Sequence, residues 1–227
     1  MEQKTHWAGR QLRVKIAEEH QRFLCFTWKD VLYKFTCLPN GIAEGPRIFT
    51  KLMKPVFATL RTQGHTITSF IDDTLIWSNS FLGCLSSIQD TTLFLEKLGF
   101  CINVEKSALT PTKRLEYLGN IIDTEGMRVF LPVRRRDKII QACNGLLSKD
   151  TARIREVAQV IGLLVAAIPA VEMGKLHYRQ LEAAKILALK EMEGNFDCHM
   201  SIAEEMKHDL RWWIKNVANQ DRKFFQI

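Results

Sequence analysis

No apolar run in this chain approaches the roughly 18 consecutive residues that a membrane-spanning helix needs. The opening Met-Glu-Gln-Lys-Thr-His-Trp also lacks the apolar core of a signal peptide. The expectation is a soluble intracellular protein with no membrane partner, nucleus and cytoplasm being left open. Closely spaced cysteines are missing: Cys25, Cys37, Cys84, Cys101, Cys143 and Cys198 are never nearer than twelve positions. The histidines His6, His20, His65, His177, His199 and His208 show no ligand spacing, so no zinc is expected and the thiols read as free and mostly buried. Repeats and low-complexity tracts are absent. Aspartate is absent before Asp30, and Glu2, Glu18 and Glu19 are the only carboxylates in the first 29 residues.

What is present is enough for a core: 227 residues with 46% hydrophobic content, which excludes disorder as the main state. Thirty-two Lys and Arg against 25 Asp and Glu leave a net charge of +7, which suits a polyanionic partner without demanding one. Ten basic and five acidic residues fall in the first sixty, and a second basic cluster is Arg134, Arg135, Arg136 and Lys138.

Strand and helix patterns alternate as far as Leu131. Phe23 to Trp28 and Val31 to Thr36 are aromatic and β-branched runs around Lys29-Asp30, the chemistry of a two-residue hairpin turn. Phe49, Leu52, Met53, Val56, Phe57 and Leu60 predict a helix with one buried face, with Pro46 in its first turn and Pro55 bending its middle. Gly64 stops it. A second hairpin, Thr66 to Ile71 and Thr74 to Trp77, is expected to turn at Asp72-Asp73. Leu85, Ile88, Leu95 and Leu98 predict another helix, closed by Gly99 before a short strand Phe100 to Val104. Two more short strands are expected around Leu115 to Ile122 and Met127 to Leu131. Beyond Pro132 the pattern is helical throughout: a stripe from Ile154 to Ile168, a helix over about Val171 to Met192, and a last helix. That last helix opens on the capping box Ser201-Ile202-Ala203-Glu204.

The carboxylate pair Asp72-Asp73 stands between apolar strands. Two like charges at one place need a compensating cation, and Mg²⁺ suits a few hard oxygen donors completed by water and phosphate. A solvated turn is the plain alternative for an Asp-Asp tip.

The order of features is more telling than any one of them: a hairpin, Leu38-Pro39-Asn40-Gly41, a long helix bearing Phe49, Phe70-Ile71-Asp72-Asp73, Leu98-Gly99-Phe100 with Lys106, and Tyr117-Leu118-Gly119. This resembles the reverse transcriptases. Phe26-Thr27-Trp28-Lys29, Pro46-Arg47-Ile48-Phe49-Thr50-Lys51-Leu52 and Asp209-Leu210-Arg211-Trp212-Trp213 resemble the RNA-directed DNA polymerase of DIRS-like retrotransposons, the tyrosine-recombinase class, over about His20 to Asn219. The resemblance implies an α+β fold: a right-hand polymerase palm, with a ferredoxin-like antiparallel sheet carrying helices on one face, then an all-helical thumb and connection. The domains implied are an atypical segment over 1–20, palm over 21–131, thumb-like helices over 132–170 and a helical connection over 171–227. It further implies an RNA template, a DNA primer and deoxynucleoside triphosphates as partners, with two Mg²⁺ ions in an intact member.

Residue by residue, the resemblance makes Asp72 and Asp73 the catalytic metal ligands and places Lys106 near the triphosphate. Leu38, Pro39, Asn40, Gly41 and Phe70 would line the nucleotide and template pocket. Many relatives carry Gln where Asn40 stands. Tyr117, Leu118 and Gly119 correspond to the primer grip, and Arg134, Arg135, Arg136 and Lys138 would meet phosphates. Trp213, on a periodic helix, reads as core packing rather than base stacking.

One departure is sharp. The family places its first catalytic Asp about ten residues before the position matching Ile16, and by that register His6 stands in its place. In-line nucleotidyl transfer uses two metals about 3.5 to 4 Å apart, which one Asp bridges poorly. The chain therefore reads as an incomplete polymerase, without fingers or the first palm strand, whose Mg²⁺ is not properly bound and which is inactive alone. A non-catalytic nucleic-acid-binding remnant of a transposable element and a purely structural helical interaction protein stay open beside it.

Overall fold

Thr66-Ile67-Thr68-Ser69-Phe70 and Asp73-Thr74-Leu75-Ile76-Trp77 alternate around a two-residue loop. In the computed structural model they form strands β4 (Thr66–Phe70) and β5 (Asp73–Trp77), paired so that Phe70 faces Asp73 and Ile67 faces Ile76. Residues 2–6, 14–39, 41–217 and 222–223 are described. The chain divides into two compact units, 1–115 and 116–227, taken in turn below.

The first unit is built on an antiparallel three-stranded sheet of order β1-β5-β4; β1 (Glu2–His6) lies beside β5, which corrects the expectation that no strand from the first residues flanks this hairpin. Helices α2 (Gly45–Thr62) and α3 (Phe81–Lys97) bury one face of it. Phe49, Met53, Phe57 and Leu60 of α2 meet Ile67, Ile76 and the α3 residues Cys84, Ile88 and Leu95 in a single cluster. The 3.6-residue stripe on α2 is thus its buried face, except for Leu52, which stays 45% exposed. Pro46 sits in the first turn, where a missing N–H costs nothing, and Pro55 lies inside the helix. Ser80 caps α3 by accepting from the Gly83 N–H at 3.0 Å.

Before α2 come the short helix α1 (Glu18–Gln21) and the hairpin β2 (Cys25–Trp28) and β3 (Val31–Lys34). Lys29 and Asp30 turn it with φ of +48° and +59°, the left-handed pair that a two-residue hairpin loop requires. All eight strand residues are exposed. The expected strand Phe100 to Val104 is not formed. A 3-10 turn, Val104–Lys106, takes its place, with the Asn103 carboxamide oxygen accepting from the Lys106 N–H.

The second unit holds β6 (Arg114–Tyr117), inside which the boundary falls, β7 (Asn120–Asp123) and β8 (Arg128–Phe130). These continue in a sheet of order β11-β8-β7-β6, where β11 is Arg222–Lys223. Then follow α4 (Val133–Leu147), β9 (Thr151–Arg153), α5 (Ile154–Ala167), α6 (Arg179–Glu191), β10 (His199–Ser201) and α7 (Glu204–Asn216). Its core gathers Ile139, Cys143 and Leu146 of α4, Ile154, Val157, Ile161 and Leu164 of α5, Leu181, and Met206, Leu210 and Trp213 of α7.

Three expectations for this unit are corrected. It is not purely helical: β9 and β10 pair antiparallel, with Ala152 opposite Met200, both buried. Strands of three residues are too short to show a period. The helix expected from Val171 begins only at Arg179, because Met173 is left-handed at φ +61° and Gly174 packs against the Trp213 ring. Ser201 is in β10 and caps nothing; α7 starts after Ala203, with no side-chain cap.

All six thiols are free, but only Cys84 and Cys143 are buried, which corrects the expectation of mostly buried thiols. Burial pushes the Cys143 thiol up to about 12, so it carries almost no thiolate near neutrality. In the native chain at pH 8, iodoacetamide is expected to label the exposed Cys25 and Cys101 within minutes, and Cys84 and Cys143 only after urea is added. Mass mapping of the alkylated peptides checks this, and early labelling of Cys143 would contradict the packing of α4.

Candidate functional site

The Asp pair is one residue out of step with the expected turn. The loop of the β4–β5 hairpin is Ile71-Asp72, and Asp73 is already the first residue of β5. Ile71 takes φ +51°, a left-handed conformation that a β-branched residue adopts at a cost of about 1–3 kcal/mol. Its side chain offsets part of that cost by packing against the core of the first unit. Both carboxylates are half-buried at this tip, and Phe70 beside them is 58% exposed.

The neighbouring strand decides what the tip can hold. In the β1–β5 ladder His6 pairs with Asp73, and Glu2 pairs with Trp77 at the far end. Directly paired positions share a face of the sheet. Four positions of strand separate Glu2 from that place, about 14 Å at the rise of an extended chain. Glu18 and Glu19 lie in α1 and are exposed. The residue paired with Asp73 in strand register is thus a histidine, and among the described residues no three His, Cys, Asp or Glu side chains gather for a metal.

Mg²⁺ wants hard oxygen donors. Two carboxylates on one tip, with a histidine at the facing register position, do not fit a pair of such ions. The 3-10 turn bearing the exposed Lys106 lies against β1 in the same unit. Leu38 and Pro39 are buried, and Leu38 donates its N–H to the Val14 carbonyl at 2.8 Å. Gly41 is exposed at φ +94°, and Asn40 lies outside the described residues.

In the second unit, Tyr117 is buried at the end of β6 and Leu118-Gly119 make the turn into β7, at φ +49° and +72°. The basic cluster at the start of α4 is not uniformly available. Arg134 is paired with Glu116. Arg135 turns inward: Nη1 donates to the carbonyls of Gly119 at 2.6 Å and Leu118 at 3.3 Å, and Nη2 to that of Ala166 at 2.9 Å. Burial lowers its basicity, and Glu116 nearby works in the opposite direction. Arg136 is half-buried, and Lys138 alone of the four is exposed without an ion pair among the described residues.

Lys138 lines a groove of about 900 Å³ between α4 and α5, with Gln141, Lys149, Glu156, Gln159 and Gly162. Lys149 and Glu156 are paired at 2.8 Å, which holds the Glu156 carboxyl below its usual range. Gly145 and Gly162 both have open space where a Cβ would stand. Sequence reasoning missed this groove. Its one signal was glycine inside two otherwise good helices, where it costs about 1 kcal/mol against alanine.

Trp213 is fully buried, its Nε1 donating to the His177 carbonyl at 2.7 Å, and Trp212 stacks on the His177 ring with centroids 3.9 Å apart. No helix among the described residues is long and apolar enough to cross a membrane.

A family model described as reverse transcriptase (RNA-dependent DNA polymerase) matches residues 9–122, just over half of the chain. The chain is 26% identical over 164 residues to the Gag-Pol polyprotein of Avian reticuloendotheliosis virus, covering 69% of this chain and 14% of that one. To the retrovirus-related Pol polyprotein from transposon 297 of Drosophila melanogaster it is 23% identical over 192 residues, covering 79% and 18%. It thus spans less than a fifth of the length of these relatives. Among solved structures, the foamy viral protease-reverse transcriptase dRH in complex with double-stranded DNA superposes at a TM-score of 0.72 and 17% identity, over 96% of this chain and 35% of that one. The Asp-Asp hairpin flanked by a third strand, with two helices on one face of the sheet, is accordingly a reverse transcriptase polymerase fold, and the chain belongs to the reverse transcriptase family.

Proposed function

We propose that this chain is the palm and thumb of a DIRS-like retroelement's RNA-directed DNA polymerase, and that it holds a template–primer duplex without carrying out nucleotidyl transfer. In this reading residues 21–131 are palm, 132–170 thumb-like and 171–227 connection. The retroviral and transposon relatives support the retroelement origin, and the motif residues from Phe26 to Trp213 support the DIRS-like class.

The observation that carries the reading is the pairing of His6, in place of a carboxylate, with Asp73. Mg²⁺ in an intact member needs an acid there to be shared with Asp72. An imidazole is a poor ligand for that ion and adds no negative charge. Duplex binding needs no such acid. The foamy viral structure that shares the fold contains double-stranded DNA, and the groove between α4 and α5 offers Lys138 to a phosphate chain, with Gln141 and Gln159 as neutral donors and Lys149 shared with Glu156. Leu118-Gly119 would approach the primer end. Arg134, paired with Glu116, contributes less to phosphate binding than Lys138, and Arg135, engaged with three backbone carbonyls, makes no phosphate contact in this reading.

The test is extension of a DNA primer on an RNA template with Mg²⁺, using the purified chain and Asp72→Asn. No extension is expected from either, while both bind the template–primer with log K falling against log salt at a slope of about −2 to −4. Extension by the native chain that Asp72→Asn abolishes would refute the non-catalytic reading. Salt-insensitive or absent binding would refute the duplex role.

A further inference from the structure

We propose that Arg135 is a positioning residue that sets the Leu118-Gly119 turn against the end of α5, so that the turn and the duplex groove act as one binding surface. This rests on reading that turn as the part that meets the primer end.

The guanidinium is held by three backbone carbonyls from two segments. Two belong to the turn, Leu118 at 3.3 Å and Gly119 at 2.6 Å, and the third is Ala166 in the last turn of α5, at 2.9 Å. The last carbonyls of a helix have no partner within it and carry the negative end of its dipole, so a planar cation with several fixed donors is well suited to hold one of them while reaching elsewhere. Arg135 itself stands in the first turn of α4, where a cation gains nothing from that helix's own dipole. Its place is therefore explained by what it reaches.

Gly119 is shaped to this contact. A Cβ there would lie 2.6 Å from Arg135 Nη1, and the residue's φ of +72° favours glycine independently. The close approach that the glycine permits is thus occupied by an arginine of the same unit. α5, whose end is held, is also the helix that presents Gln159 and Gly162 to the groove. One side chain joins the two places at which a primed duplex would be touched.

A phosphate contact and a positioning contact make different predictions. Removing a phosphate contact weakens every duplex alike and lowers the salt slope by about one. Removing the positioning contact weakens duplexes with a recessed 3′ end and leaves blunt duplexes of equal length nearly unchanged. Binding of both DNAs is measured by fluorescence anisotropy with the full chain, Arg135→Gln, Arg135→Lys and Gly119→Ala, with thermal melts alongside. The native chain is expected to prefer the recessed duplex by about tenfold, a coupling of ordinary size. Arg135→Gln should lose that preference and keep its blunt-duplex affinity and salt slope. Arg135→Lys, which keeps the charge but lacks the fork, should lose it too. Gly119→Ala should lose it with Arg135 intact, which keeps the test valid if Arg135→Gln fails to fold. Preference retained in Arg135→Gln, or rescue by Arg135→Lys with a salt slope that follows charge alone, overturns the positioning role. No preference in the native chain overturns the primer-end reading of the turn and the proposal with it.

Discussion

Replacing Trp213 by alanine is expected to remove most of the stability of the second unit. The indole is fully buried in that core, packs edge-on to Trp212 with centroids 5.7 Å apart, and its Nε1 donates to the His177 carbonyl at 2.7 Å. Deleting a buried large aromatic costs about 3–5 kcal/mol. Stranding the His177 carbonyl adds about 1 kcal/mol if water does not reach it. Against a typical folding free energy of about 5–15 kcal/mol the loss is decisive. The backbone near Gly174 is fitted so tightly to the ring, with a Cβ position 2.8 Å from it, that the cavity would not be filled from within. Alkylation of Cys143 reports this unit directly, and Cys84 reports the first unit. In Trp213→Ala, Cys143 should become reactive at a clearly lower urea concentration, and an unchanged midpoint would show that the α7 core does not depend on this residue.

The second large effect is a gain. His6→Asp should strengthen divalent-cation binding at the hairpin tip by at least about tenfold, because a full negative charge is added at the position paired with Asp73. Titration with Mn²⁺ followed by electron paramagnetic resonance measures it, and adding Asp72→Asn should reverse the gain. The control is Glu2→Gln, at the far end of β1, which should change nothing at the tip. Equal Mn²⁺ affinity in the native chain and His6→Asp would mean that the pairing of β1 with β5 does not bring position 6 to the Asp pair.

Much of the framework was legible because local chemistry and global packing agree. Phe49, Met53, Phe57 and Leu60 are spaced for one helix face and are all buried on it. Lys29-Asp30 turn their hairpin. Gly64 and Gly99 end helices at positive φ. What escaped depends on partners distant in sequence. β9 and β10 are defined by one buried residue each and by their pairing across more than forty residues. The start of α6 is set by the approach of Trp213 to Gly174. The turn at Asp72 was off by one because Ile71, a poor residue for a left-handed conformation, occupies the turn's first position and is retained by its packing.

The site divides in the same way. Motif spacing singles out position 6 in the sequence, and the strand register sets that position opposite Asp73. The roles within Arg134 to Lys138 could not. Four cations in a row look alike in sequence, and only the folded chain shows one paired with Glu116, one gripping carbonyls and one facing a groove.

The hairpin of β2 and β3 adds a consequence for the dynamics of the chain. Its eight strand residues are all exposed, Trp28 at 62% and Leu32 at 71%, so little burial supports it beyond the turn and the stacking of Phe26 on Tyr33 at 5.4 Å. Two-stranded ribbons of this kind are marginal in water. Local opening therefore requires little free energy there, and its amides exchange with solvent through that opening rather than through global unfolding. The strands flanking Asp72 and Asp73 belong to a cluster with fully buried Leu60, Ile76 and Leu95. Order is thus graded within a single unit, firm around the carboxylates and loose at the Lys29-Asp30 tip, where a protease cutting after Lys29 would find the chain open first.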